Sequence, residues 1–73
     1  MMKPIQKEVL RGLGTLLDLA PTLRVGQLVA NLGDLAEDMD LRGLGDIDDE
    51  DLLTVIERHR NELAQLSEEA RNA

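Results

Sequence analysis

Apolar residues in this 73-residue chain recur at the spacing of a helix, and that period restricts the fold more than any other feature. The Arg24–Met39 stretch shows it best. Wound at about 100° per residue, Val25, Leu28, Val29, Leu32, Leu35, Ala36 and Met39 share an arc of roughly 120°. Gln27, Asn31, Asp34, Glu37 and Asp38 fall outside it. One face belongs in a core and the other in water.

Two further segments follow the same rule. Pro4 suits a first helical turn, where its missing N–H costs nothing. Ile5, Val9, Leu10, Leu13, Leu16, Leu17 and Ala20 then form a wide arc of roughly 140°, enough to touch two neighbours. Pro21 stops that helix, because the residue before proline resists helical geometry. Gly12 sits at the edge of the arc, where bare backbone admits a close neighbour; Gly14 sits on the polar side without a packing reason. Thr22 is a candidate N-cap for the second helix, with Arg24 as the alternative start. Gly26, Ala30 and Gly33 flank its apolar stripe and suggest close contact there too. In the third segment Asp48 is the natural N-cap, with Asp51 in the capping-box position and Ile47 and Leu52 placed to form a staple. Asp49, Glu50 and Asp51 favour the positive end of the helix dipole. Leu52, Val55, Ile56, Leu63 and Leu66 make its buried stripe, and the chain is expected to fray from Ser67 onward. The expectation is a single all-α domain over 1–73, a three-helix bundle. Its helices fall near 4–20, 23–39 and 48–68, an acidic loop joins the second to the third, and a frayed tail covers 69–73. Leu-Arg-Gly-Leu-Gly occurs at 10–14 and again at 41–45 with unlike flanks, and is read as coincidence.

Composition narrows function by exclusion. There is no cysteine, no aromatic residue and one histidine, so disulfides, Cys-based zinc sites and multi-histidine metal sites within one chain are ruled out. Lys3, Lys7, Arg11 and Arg24 against Glu8 and Asp18 leave residues 1–33 at +2, while residues 34–73 carry −9. That acidity disfavours nucleic acid and anionic membranes. No apolar run approaches the ~20 residues of a membrane span, and no signal-peptide core precedes the first helix, so a cytoplasmic location is expected. Ser67 is the only serine and lies near the tail, which excludes the prosthetic-arm site of an acyl carrier protein. The third helix opens on acids, unlike a DNA-recognition helix. No nucleophile–base pair is visible, so an enzyme is not expected and no cofactor is implied.

Three groups of residues remain as candidates. Segment 38–51 places Asp38, Asp40, Asp46 and Asp49 at part of the calcium-loop spacing with Gly43 sixth, but Arg42 is fifth and Asp49 stands where glutamate belongs. A second register from Asp46 puts Glu57 twelfth and Asp51 where glycine is required, so a solvated loop and helix cap is the preferred reading. His59 lies mid-stripe and reads as a packing histidine beside a carboxylate or carbonyl, with acid–base or ligand duty as the alternative. Gln27 and Asn31 are an i, i+4 amide pair better suited to structure than to chemistry.

Arg24-x-Gly26-Gln27-Leu28-Val29-x-Asn31-Leu32, followed by Asp46-x-Asp48-Asp49-Glu50-x-Leu52, resembles short uncharacterised bacterial proteins that pair R-x-G-Q-L-x-x-N with an acidic D-x-x-D-[DE]-x-L segment. The likeness covers roughly residues 22–60. Those proteins usually carry an aromatic before the Arg and often another near the acidic segment, where Leu23 and Leu44 stand here. The resemblance implies a shared helical fold, no assigned activity, and one local network of Arg24, Gln27, Asn31, Asp48, Asp49 and Glu50. Replacing Asn31 by Leu is then expected to destabilise the fold.

A chain this short buries only about 60% of its unfolded surface. Without rings, disulfides or metals its core is small, and a partner would supply the missing area. The expected role is a non-catalytic interaction or assembly module whose partner is itself or another protein, a homodimer first. Leu10, Leu13, Leu17, Val55, His59 and Leu66 are the expected contacts. The competing class binds a divalent cation or a basic protein through residues 38–51.

Overall fold

Lys3 is extended (φ −70°, ψ 152°), as the residue before a proline tends to be. Its N–H donates to Gln6 Oε1 at 2.9 Å, half of a capping box; lysine has no acceptor for the other half. From this start the computed structural model, which describes residues 1–72, winds α1 (Pro4–Leu19), α2 (Val25–Asp38) and α3 (Asp49–Asn72). Ala20 closes α1 by donating to Leu16 O, and Leu23 N–H bonds Ala20 O across the turn that contains Pro21. Arg24, not Thr22, is the N-cap of α2: its carbonyl accepts from Leu28 N–H, and no side chain caps the end. The fold is the all-α three-helix bundle anticipated, with its acidic loop between α2 and α3.

α3 is the element on which the other two pack. α1 lies along it, α2 packs on it less extensively, and α1 and α2 barely meet. Met2, Gln6, Val9 and Leu10 surround Asp49 at the start of α3, while Gly12 meets Ile56 further along. α1 and α3 therefore run in the same direction, and α2 returns between their ends. Val9, Leu16, Leu28, Leu32, Ala36, Val55 and Ile56 are buried, drawing on all three helices; Leu13, Leu17, Leu35, Leu52 and Leu63 pack around them. Each fully buried Leu or Ile contributes about 1.5–3 kcal/mol.

Gly12 is what lets α1 approach. A Cβ there would lie 2.7 Å from Ile56 Cγ2, a distance no methyl can accept without displacement of the core. Gly14 faces open space, as its polar-side position implied. Gly33 does not end α2: the helix continues to Asp38, and Leu44 from the loop lies over the glycine. Gly26, expected to mark a close contact, faces open space.

α2 ends in a Schellman motif. Leu41 N–H bonds Ala36 O at 2.9 Å and Asp40 N–H bonds Glu37 O at 3.0 Å. Asp40 holds φ +58°, the left-handed conformation that glycine adopts more easily. Gly43 O then accepts from both Asp46 and Ile47 N–H, closing the loop before α3.

α3 departs from expectation at both ends. Asp48 O accepts from Leu52 N–H, which makes Asp48 the N-cap, but no side-chain hydrogen bond joins Asp48 to Asp51. Its acids favour the end by charge alone. At the other end the helix does not fray at Ser67 or over 69–72; it continues to Asn72, and residue 73 of the expected tail lies outside the described residues. Neither Gly nor Pro interrupts Leu52–Asn72, and Glu, Ala, Gln, Leu and Arg sustain helix by propensity without burial.

Gly14→Ala is expected to stabilise the fold by up to about 1 kcal/mol and raise the melting temperature by several degrees, while Gly12→Ala lowers it because overpacking against Ile56 outweighs the helix propensity gained. Thermal denaturation followed by circular dichroism separates the two. Asp40→Gly is expected to add about 0.5–1 kcal/mol by relieving the left-handed residue at the α2 terminus; a lower denaturant midpoint would refute that assignment.

Candidate functional site

Leu66 lies on the same stripe of α3 as Val55, three turns further on. Val55 is 0% exposed and Leu66 is 60% exposed. Gly12 meets Ile56, so Leu19 at the end of α1, seven residues on, reaches about as far as Leu63. Leu63 is the last residue of α3 to pack against the core, and residues 64–70 are all exposed. α3 therefore overhangs the bundle by about 13 Å, and its core-facing stripe runs out with it.

The same end of the bundle carries the turn from α1 to α2. Leu19 is 43% exposed, and Val25 and Val29 at the start of α2 are 61% and 42% exposed. Val25 and Val29 belong to the apolar arc of α2 by spacing, but Leu28 beside Val29 is 1% exposed, so the core covers the Leu28–Leu32 side of that arc and leaves the Val25–Val29 side open. Leu66, on the overhang, stands instead among Glu62, Gln65 and Glu69. Sequence periodicity missed Leu19, Val25 and Val29 as surface residues; the signal that could have found them is their position at helix termini beside a short turn.

The six expected contact residues do not form one surface. Val55 is buried in the core, so it is unavailable to a partner. Leu13 and Leu17 are largely used by the same core. Leu10, 54% exposed, sits near the start of α3, in the other half of the molecule from Leu66. His59 is half-buried, its Nδ1 3.7 Å from Glu62 Oε2, a packing histidine with a carboxylate beside it. The reason is geometric: α1 lies along α3, so an apolar stripe read from one helix is divided between core and surface.

The network is equally divided. Gln27 Nε2 donates to Asn31 Oδ1 at 2.9 Å. Among the described residues neither amide bonds Arg24, Asp48, Asp49 or Glu50, and all four of those are exposed. The polar face of α2 does not reach the α3 cap. The carboxylates of Asp38, Asp40, Asp46 and Asp49 are exposed, and among the described residues no three His, Asp or Glu side chains converge into a metal site. Asp38 ends α2 and Asp49 begins α3. No helix of the described residues is long and apolar enough to cross a membrane.

No family model, no curated protein and no solved structure matches this chain.

Asn31→Ala is expected to change stability by no more than about 0.5 kcal/mol, because it removes one exposed i, i+4 pair. A loss several times larger in chemical denaturation would mean that Asn31 ties further elements together.

Proposed function

We propose that this chain is a non-catalytic, cytoplasmic assembly module that works as a homodimer. One observation carries the reading. The chain exposes 5481 Å², whereas a folded monomer of its 8.1 kDa mass would expose about 4,500 Å². Its radius of gyration, 12.7 Å, likewise exceeds the roughly 11 Å of a compact domain of this length. The excess of about 1,000 Å² is comparable to the ~800 Å² that each partner buries in a standard interface. Exposed Met2, Leu10, Leu19, Val25, Val29 and Leu66 supply apolar area of the right kind.

The resemblance to short bacterial proteins with the R-x-G-Q-L-x-x-N segment belongs with this proposal. Leu23 and Leu44, which stand where those proteins carry aromatics, both pack against the core. That placement supports a shared bundle in which larger rings fill the same positions.

Sedimentation equilibrium tests the module directly. A mass twice 8.1 kDa is the expected result, and a strictly monomeric chain at high concentration would refute it. Titration with calcium, followed by NMR, tests the competing acidic-loop reading: shifts confined to residues 38–51 at micromolar calcium would favour that reading instead.

A further inference from the structure

We draw no further inference here: the strongest candidate, the exposed apolar surface at Val25 and Val29 on α2 and at Leu66 on the α3 overhang, is an unpartnered pair of helix faces, and nothing in the structure shows what covers it.

Discussion

The approach of α1 to α3 at Gly12 and Ile56 is the contact on which the rest of the molecule depends. Leu, Val, Ile and Ala bury less area per side chain than rings do, so an aliphatic core holds only if its helices come close. A residue with no Cβ at position 12 lets the Ile56 side chain press against the α1 backbone. That contact sets the height of α1 along α3. Val9 and Leu16, one turn before and one turn after, are buried because of it. The helix-propensity cost of a mid-helix glycine, about 1 kcal/mol, is offset by the packing it admits.

Once α1 is fixed in that position, its length decides where the core stops. α1 has 16 residues and α3 has 24. Two helices running the same way from nearly the same level, with unequal lengths, leave the longer one uncovered at its far end. The overhang needs no special sequence; it follows from where Pro21 terminates α1 and from the absence of any breaker in α3. The exposure of Leu66 is a product of two helix lengths and one contact.

The acidic segment has a separate logic. Its carboxylates sit at a helix N-terminus and in a loop where each of them reaches water, so charge accumulates without burial and no buried polar group results among the described residues. The left-handed Asp40 and the turn at Gly43 fix the path of the loop. The α1 start packs at that same end, so Lys3, Lys7 and the exposed Met2 and Leu10 stand beside the acids.

The sequence by itself determined that there are three helices, which faces of them are apolar, that Pro21 and an acidic loop separate them, and that Gly12 but not Gly14 would meet a neighbour. Each of these depends on residues within a few positions of one another, and a period of 3.6 or a proline is a local signal. Only the tertiary structure decided that Val55 is buried while Leu66 is exposed, that Val25 and Val29 lie uncovered, and that Gln27 and Asn31 do not reach the Asp48–Glu50 cap. Periodicity tells which face of a helix is greasy; how far along that face a neighbour extends depends on where two distant helices come level, and that is fixed by packing between residues more than forty positions apart, such as Gly12 and Ile56.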